Sequence, residues 1–455
     1  MTSPRESWGA GSDGAVQLAS VALAGIVASL MVFATLVAPE AATQGAAQGQ
    51  VTFTKDVAPI LQRSCQVCHR PGSIAPMSLT SYEEARPWAR SIRQRVSRRE
   101  MPPWGIDRNV GFNKFRDDPS LTDAEISTIV RWVDGGALRG DPADMPPARA
   151  FADPNKWQIE NPDLVISMPR DYTIKARGSD ETLNFVTDPG LTEDRYIQAI
   201  ETKPNVESLG AVHHSNTNVI EDEVNEPQGT FLNEYSLGKN ADVFPEGSAR
   251  LLKAGSKILF NVHYFSMGEE VKSRSSVAFK FYPKGYVPKY PLVTMHVGDV
   301  TELDIPGKTV SRHDGYLRLS KPVQMAALQP HMHTRGKRMC VEAIYPDPVG
   351  DPVRPGPTRT EMLNCIDYNF AWNLSYTYDE ASAPLLPAGT VLHVIAWHDN
   401  TPANRFVPDP RNWVGFGARS VDVMSFCWVN FIYLDEPEFQ RRVDARKGRS
   451  TVAAR

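Results

Sequence analysis

The chain has 455 residues, of which 41% are hydrophobic and 22% are charged, so it is long enough for several folded domains. Its formal net charge of −4 is small for this length, and a nucleic-acid partner is therefore not predicted. In chain order, the first feature is an apolar run from Leu18 to Ala38 that is long enough to span a bilayer. We interpret residues 1–48 as either a cleaved signal peptide or a retained membrane anchor with its tether. Both alternatives predict an exported protein, periplasmic or secreted, and the second predicts attachment to the inner membrane.

Residues 49–146 have the pattern of a small all-α domain. The stretch 55–63 carries apolar residues at helical spacing. Thr122 and Glu125 form a capping box ahead of an apolar helical face. The double glycine at 135–136 is typical of a helix end, and the stretch rich in proline and aspartate that follows predicts a linker.

Within this segment, Cys65-Gln66-Val67-Cys68-His69 has the residue order that covalent haem attachment requires. Two thiols at this spacing can bond the two vinyl groups, and the histidine can ligate the iron. Half of a zinc site is the alternative, but no second cysteine pair follows at zinc-ribbon spacing. A methionine opposite the histidine would raise the reduction potential, and we predict Met101, with Met77 as the alternative. The segment resembles a small bacterial class of cytochrome c domains.

After the linker, short β-branched and aromatic runs alternate with turn residues, and no long helical period is evident. The runs Ser256–Phe265 and Val391–Trp397 are typical of strands. This pattern predicts one or two β-sandwiches. Outside the haem motif, Cys340 and Cys365 are the candidate disulfide pair in an oxidising compartment, which leaves Cys427 single.

Histidines cluster at three places in the β region: His213 with His214, then His263, then His331 with His333. Residues i and i+2 of a strand point to one face, so His331 and His333 can chelate one ion. The adjacent His213 and His214 need a bend in the chain, or unequal ring nitrogens, to share a metal. Imidazole ligands suit copper or zinc, and a thioether beside them favours copper. The others are interpreted as surface or core residues, with His398 as the one exception to consider: His296, His313, His393 and His398.

From about Asn161 to Glu436, the order and spacing of these motifs resemble the copper type II, ascorbate-dependent monooxygenases. That family includes peptidylglycine alpha-hydroxylating monooxygenase and dopamine beta-monooxygenase. In it, an early His-His pair and a later Val-His-Tyr histidine bind one copper, and a Pro-His-x-His-x-x-Gly-Lys motif and a distant methionine bind a second. The matching residues in this chain are His213, His214, His263, His331, His333 and Met424. The run Trp397–Asn404 is similar to bacterial members that fuse a cytochrome c to this enzyme.

The resemblance implies a multidomain fold, in which a small all-α cytochrome c domain is followed by two all-β, jelly-roll sandwich copper domains. The two sandwiches are expected to face each other across a solvent-filled cleft. The copper held by the His-x-His motif and the methionine would bind dioxygen and abstract hydrogen. The all-histidine copper would store and pass on the second electron. We place the domain boundaries at 49–146, 147–300 and 301–440, with a basic tail at 441–455.

The methionine motif of the family is met with one change, since Val423 replaces a glutamate beside Met424. Other departures from the family pattern bear on the substrate. Gln329 stands where peptide-amidating members have an arginine that holds a substrate carboxylate, and Phe426 and Trp428 replace an asparagine and a tyrosine that contact substrate. The pocket is therefore expected to be more aromatic and less able to hold a carboxylate. A small apolar or aromatic substrate is predicted.

The sequence thus predicts an exported, copper-dependent monooxygenase that uses dioxygen to hydroxylate a C–H bond of a small molecule. Its cofactors are one haem c and two copper ions. The haem delivers electrons from an external donor, for which ascorbate, a quinol and a cytochrome are the candidates. Two alternatives from other classes stay open: a non-catalytic periplasmic electron carrier and a copper-handling protein.

Overall fold

The computed structural model describes residues 49–151, 153–236, 239, 241–298, 302–347 and 359–453, and the apolar run near the N-terminus lies outside them. The fold is rich in β-structure, with 37% of residues in strands and 15% in helices. This confirms the β-rich character predicted from the sequence. Among the described residues, no helix is both long and apolar enough to cross a membrane.

The helical elements between residues 53 and 134 pack around one apolar core, in which Phe53, Ile129 and Trp132 are fully buried. The predicted capping box is confirmed, because the Thr122 hydroxyl accepts the Glu125 amide and the Glu125 carboxylate accepts the Thr122 amide. Such a cap contributes about 1 kcal/mol to helix stability. The elements are a π-helical turn (Phe53–Val57), α1 (Ala58–Ser64), α2 (Tyr82–Ala85), α3 (Ala89–Ser97) and α4 (Asp123–Asp134).

The strands of the described residues begin after position 160. The first eleven are β1 (Leu164–Ser167), β2 (Tyr172–Ile174), β3 (Glu181–Thr187), β4 (Arg195–Pro204), β5 (Val212–Ile220), β6 (Thr230–Ser236), β7 (Asp242–Val243), β8 (Ser248–Leu252), β9 (Lys257–Tyr264), β10 (Val271–Ser273) and β11 (Ser275–Phe281). The rest are β12 (Tyr290–Val297), β13 (Asp304–Ile305), β14 (Val310–Arg318), β15 (Val323–Met332), β16 (Gly336–Ile344), β17 (Thr360–Asp367), β18 (Tyr376–Thr377), β19 (Leu385–Leu386), β20 (Val391–Asp399), β21 (Val414–Gly415) and β22 (Ser425–Tyr433).

Eighteen of these strands form one large sheet and two four-stranded sheets that cover its two halves, and the other four form two pairs, β2 with β10 and β13 with β21. The large sheet has ten strands, in the order β1-β11-β4-β8-β12-β22-β15-β18 with β7 and β19 at the side. The sheet β3-β9-β5-β6 packs on its first half through a core that includes Phe260 and Phe279. The sheet β14-β20-β16-β17 packs on its second half through a core that includes Val394 and Phe431. The two runs predicted to be strands are β9 and β20, and each is an inner strand of its four-stranded sheet.

The large sheet crosses the domain boundary that we place at residue 300. Strand β12 pairs in parallel with β8 through Tyr290 and Pro291. Further along, β12 pairs antiparallel with β22, from Leu292 opposite Ile432 to Val297 opposite Cys427. The two sandwiches are consequently joined by continuous strand pairing.

The helix α5 (Glu436–Ala453) corrects our expectation that no long helix follows the linker. From the sequence we predict only a basic tail from residue 441. Phe439 packs in the core of the first sandwich and Val443 lies against it, so the apolar signal is one i,i+4 pair on an otherwise charged segment. A pair this short does not establish a helical period.

The candidate disulfide is confirmed. Cys340 and Cys365 are bonded, with their Cα atoms 4.0 Å apart, and they lie directly opposite each other on β16 and β17. Cys427 is buried and outside a disulfide. The bond joins two neighbouring strands of the second sandwich.

The segment 105–116 fastens the helical elements to the edge strand β17. The Phe112 amide donates to the Leu363 carbonyl at 2.8 Å, and the Asp107 amide donates to the Cys365 carbonyl at 2.9 Å. Further along, Phe115 stacks on Tyr378, with ring centroids 4.9 Å apart. The segment therefore behaves as an added edge strand of the second sandwich.

We predict that Gly111→Ala loosens this attachment. Gly111 has a φ of +62°, and a Cβ there would lie 1.9 Å from the Leu363 carbonyl oxygen. A left-handed residue other than glycine costs about 1–2 kcal/mol, and the overlap with Leu363 adds to that cost. Urea unfolding, with limited proteolysis of the segment, measures the loss. The matched control is Gly136→Ala, which has a φ of +94° but no heavy atom within 4 Å of its Cβ. Equal losses in the two variants would contradict the prediction.

Candidate metal centre

Three histidines meet on the sheet β3-β9-β5-β6. His214 lies directly opposite His263 on the neighbouring strand, so their side chains share a face. His213 is the extra residue of a β-bulge, because Val212 pairs with Tyr264 and His214 pairs with His263. The bulge supplies the bend that two adjacent histidines need to turn toward one point. One ring nitrogen from each histidine lies within 4.8 Å of the others. We call these residues the three-histidine cluster.

The hydrogen bonds of the three-histidine cluster leave nitrogens free toward its centre. His213 Nε2 donates to the Phe370 carbonyl at 2.9 Å, and His263 Nε2 donates to the Asp180 carboxylate at 3.0 Å. The Nδ1 atoms of His213 and His214 are buried and have no hydrogen-bond partner. Buried polar atoms without partners are uncommon in native proteins. The donor set therefore fits a metal ion held through Nδ1.

Protonation favours ligation as well. Burial, with the neighbouring His263, lowers the pKa of His213 to about 4. Burial and the adjacent His213 hold the pKa of His214 well below its usual value. Neutral imidazoles are the form that binds metals, so both residues are ready to ligate at neutral pH.

His331 and His333 lie at the end of β15, beside β22. His331 is directly opposite Phe426, and its ring stacks on the phenyl ring with centroids 4.8 Å apart. The last residue pair of the two strands joins Met332 to Ser425. The residues just beyond it are His333, after β15, and Met424, before β22. The strand register therefore places the backbones of Met424 and His333 next to each other, just beyond the last residue pair.

The second histidine pair also has its nitrogens prepared for a metal. His333 Nδ1 donates to the Asp422 carbonyl at 3.3 Å, which leaves Nε2 free. Burial lowers the pKa of His333 to about 4, and burial together with His333 lowers the pKa of His331 to about 3. A pair of neutral imidazoles and a nearby thioether suits copper.

The two histidine sets touch. The rings of His214 and His331 have centroids 6.3 Å apart and lie perpendicular to each other, at 89°. The resemblance leads us to expect a solvent-filled cleft between the sets, and this expectation is wrong for the described structure. The pairing of β12 with β22 joins the two sandwiches, and the rings consequently lie in contact.

The loop that carries Met424 is fixed by residues that the sequence analysis does not assign. Arg335 is 3% exposed; it donates to the Val421 carbonyl at 2.5 Å and to Asn400 Oδ1 at 2.9 Å. Asn400 is fully buried and donates to the carbonyls of Pro306 and Asn412. Arg335 lies within the Pro-His-x-His-x-x-Gly-Lys motif, and Asn400 lies within the run Trp397–Asn404. Their position inside these motifs is their only signal in the sequence.

Of the remaining histidines, His398 supports the second set from behind. Its Nε2 donates to the Met424 carbonyl at 3.5 Å, and its Nδ1 lies 3.3 Å from His313 Nδ1. Burial and His313 lower the pKa of His398 to about 3. By contrast, His393 bonds Glu342 and Asp314 at 2.6 Å each, as a structural residue does.

A buried polar wall lies next to the aromatic residues that contact His331. Glu234 is 1% exposed and accepts a hydrogen bond from Asn373. Burial raises the pKa of Glu234 to about 8, although Lys239, Gln329 and Asn373 act in the opposite direction. Several atoms of this wall are buried without a partner: Asn216 Oδ1, Ser236 Oγ, Glu234 Oε2, Gln329 Nε2 and Asn373 Oδ1. Unpaired polar atoms at this density are expected where a ligand or water binds.

The Cys-x-x-Cys-His motif borders a cavity of about 950 Å³ between the helical elements and the β-sandwiches, lined by residues that include Cys68, Trp104 and Trp372. Cofactor pockets have volumes of about 300–1,000 Å³. His69 Nδ1 donates to the Met77 carbonyl at 3.2 Å and leaves its Nε2 available. Of the motif, Val67 and Cys68 line this cavity, whose volume would admit a haem, whereas Cys65 and His69 lie outside its lining.

The two candidate axial methionines lie in different surroundings, and both are outside the lining of the cavity at Cys68. Among the described residues that line the cavity at Cys68, neither Met101 nor Met77 is found. Met101 lines a neighbouring cavity of about 330 Å³, and Pro102 borders both cavities. Met77 packs on the apolar core of the helical elements.

Comparison with known proteins assigns no family. No family model and no curated protein matches the chain. One similar solved structure is a putative alpha-L-fucosidase from Bacteroides ovatus, with 9% identity and a TM-score of 0.16; 68% of this chain covers 43% of that one, so the chain spans less than half its length. Another is infectious bursal disease virus Gx strain, with 9% identity and a TM-score of 0.14, over 60% of this chain and 76% of that one. Similarity this weak carries no argument about fold or function.

We predict that Asp180→Asn weakens copper binding by the three-histidine cluster. Partial burial raises the pKa of Asp180, but hydrogen bonds from Ser420 and His263 outweigh it, and the carboxylate stays ionised. Removing such an orienting partner lowers metal affinity by about 10–100-fold. Competition with a copper chelator measures this, and the control is Asp444→Asn on the exposed face of α5. Unchanged affinity in Asp180→Asn would show that His263 needs no carboxylate to hold its orientation.

Proposed function

We propose that this chain is an exported, copper-dependent monooxygenase that hydroxylates a C–H bond of a small molecule and receives electrons through its own c-type haem. The observation that carries the proposal is the meeting of two histidine sets in one place, with buried imidazole nitrogens that have no partner. A chain without a metal function would leave these nitrogens buried at a cost in stability.

Copper is the metal that we assign to both sets. The three-histidine cluster, formed by His213, His214 and His263, would hold one ion through imidazole nitrogens. His331, His333 and Met424 would hold the second, and the thioether distinguishes copper from zinc. When bound, the two coppers supply one electron each for the two-electron activation of dioxygen.

The residues around His331 are suited to orient a substrate. Phe426 and Trp428 form one aromatic side, and Phe231 stacks on Trp428 with centroids 4.5 Å apart. These rings would hold an apolar or aromatic body, as the departures from the family pattern lead us to expect. The polar wall that contains Glu234 would form hydrogen bonds with a polar group of the substrate and fix its orientation.

The haem would occupy the cavity beside Cys68, within a cytochrome c domain formed by the helical elements. Cys65 and Cys68 lie outside disulfides and would attach the vinyl groups. His69, with its Nδ1 held by the Met77 carbonyl, would ligate the iron through Nε2. The external donor proposed from the sequence is ascorbate, a quinol or a cytochrome.

Periplasmic or secreted location is part of the proposal, with the N-terminal segment as signal or inner-membrane anchor. Support that does not depend on the haem comes from the disulfide between Cys340 and Cys365. Disulfides form and persist in oxidising compartments such as the periplasm.

The composition and product of the protein test the proposal. We expect one haem and two copper ions per chain by metal analysis, and loss of about one copper in His214→Ala and in His333→Ala. With reductant, labelled dioxygen and a panel of small aromatic and aliphatic compounds, mass spectrometry should detect a product that carries oxygen-18. Haem without copper would indicate an electron carrier instead. Copper that is released on reduction, with no labelled product, would indicate a copper-handling protein.

Substitution of the two methionines tests the axial ligand. A thioether opposite His69 raises the haem reduction potential, so Met101→Ala should lower the measured potential and Met77→Ala should leave it nearly unchanged. Spectroelectrochemical titration of each variant gives the values. A larger fall in Met77→Ala would reverse the assignment.

A further inference from the structure

The loop between β17 and β18, residues 368–375, contacts both the cavity at Cys68 and the three-histidine cluster. We call it the bridging loop. On one side, its residues Trp372, Leu374 and Ser375 line the cavity. On the other side, Phe370 contacts His213. Only Ala371 separates the cavity-lining tryptophan from the residue that touches a candidate metal ligand.

The contact with His213 involves both the backbone and the side chain of Phe370. The carbonyl oxygen accepts the hydrogen bond from His213 Nε2 at 2.9 Å. The phenyl ring stacks on the imidazole ring, with centroids 5.0 Å apart and planes at 25°. A continuous path of covalent bonds and one hydrogen bond therefore runs from Trp372 into the imidazole of His213, whose Nδ1 is buried and unpaired.

The bridging loop is held to both sandwiches. Asn373, which is 3% exposed, donates to Glu234 on β6. The Tyr368 hydroxyl donates to the Met332 carbonyl at 2.5 Å. Within the loop, the Trp372 amide donates to the Asn369 carbonyl at 2.9 Å. These bonds fix the distance between the cavity and His213.

We propose that the bridging loop carries electrons from the haem to the three-histidine cluster, and that they enter it at His213; this rests on the proposed function. In each transfer one electron leaves the haem iron, which changes from ferrous to ferric, and one copper in the cluster changes from cupric to cuprous. No bond forms or breaks, and the external donor reduces the haem again. The loop meets the second histidine pair only at the Met332 backbone, so the described contacts favour entry at His213.

The test follows haem reoxidation in the full chain loaded with haem and copper, without oxygen. A limiting amount of dithionite reduces the haem, and stopped-flow absorbance records how fast the ferrous signal decays as the cupric electron paramagnetic resonance signal is lost. The His333→Ala variant, with copper only in the three-histidine cluster, should keep fast decay. The His214→Ala variant, with copper only in the second set, should lose it.

Two variants of the bridging loop address the path itself. Trp372→Leu should slow the decay, with unchanged copper content and haem absorbance, because it alters only the cavity end of the path. Phe370→Leu should slow it too, and should also change the cupric resonance of the cluster, since the ring that stacks on His213 is lost. The control is Trp413→Leu, at a tryptophan that is 63% exposed.

The outcomes separate this inference from the proposed function. If the wild-type haem is reoxidised by copper and both loop variants match its rate, the bridging loop is not the path, although the proposed function stands. If His214→Ala keeps fast decay and His333→Ala loses it, entry at His213 is wrong. If copper-loaded wild-type protein reoxidises its haem no faster than copper-free protein, internal transfer fails, and the bridge fails with it.

Discussion

The antiparallel pairing of β12 with β22 is the constraint on which the candidate site depends. β12 belongs by sequence to the first sandwich, and β22 follows the loop that carries Met424. Their pairing makes one sheet of the two halves and sets His331 against His214. A slip of one residue would turn Phe426 and Trp428 to the opposite face, so this register is strongly specified. The site is thus a property of the joined sandwiches rather than of either one.

Polarity inside this joined region is concentrated where a ligand is proposed to bind. Most buried polar groups in proteins have partners, because an unpaired one costs about 1–3 kcal/mol. Here His213 Nδ1, His214 Nδ1 and Glu234 Oε2 are buried and unpaired on the neighbouring strands β5 and β6. Several unpaired polar atoms in one region are expected of a binding site, because the bound species forms the missing bonds to them.

The sequence identifies the chemistry of the site better than its geometry. Paired histidines at strand spacing are visible in a sequence, and so are a capping box and a Cys-x-x-Cys-His motif. The bulge at His213 is not visible, because it depends on which residue of β9 faces each residue of β5. Asp180 and Phe370 bond to His263 and His213 from loops that are far away in the sequence, and only the fold brings them near. The helix α5 is missed for a related reason. Phe439 packs into a core that is formed mainly by distant segments, so the sequence around it shows little apolar pattern.

The segment 105–116 also bears on how the β part of this chain can exist in isolation. Strand β17 is the outer strand of its sheet, and its backbone groups at Leu363, Cys365 and Asp367 bond to that segment. Without it, a row of open amides and carbonyls would face solvent, and such edges recruit strands from other molecules. The segment 105–116 therefore covers this edge and protects the protein from self-association. A fragment that lacks residues 49–146 would be prone to aggregate through this edge, so the β part depends on the helical part for its solubility.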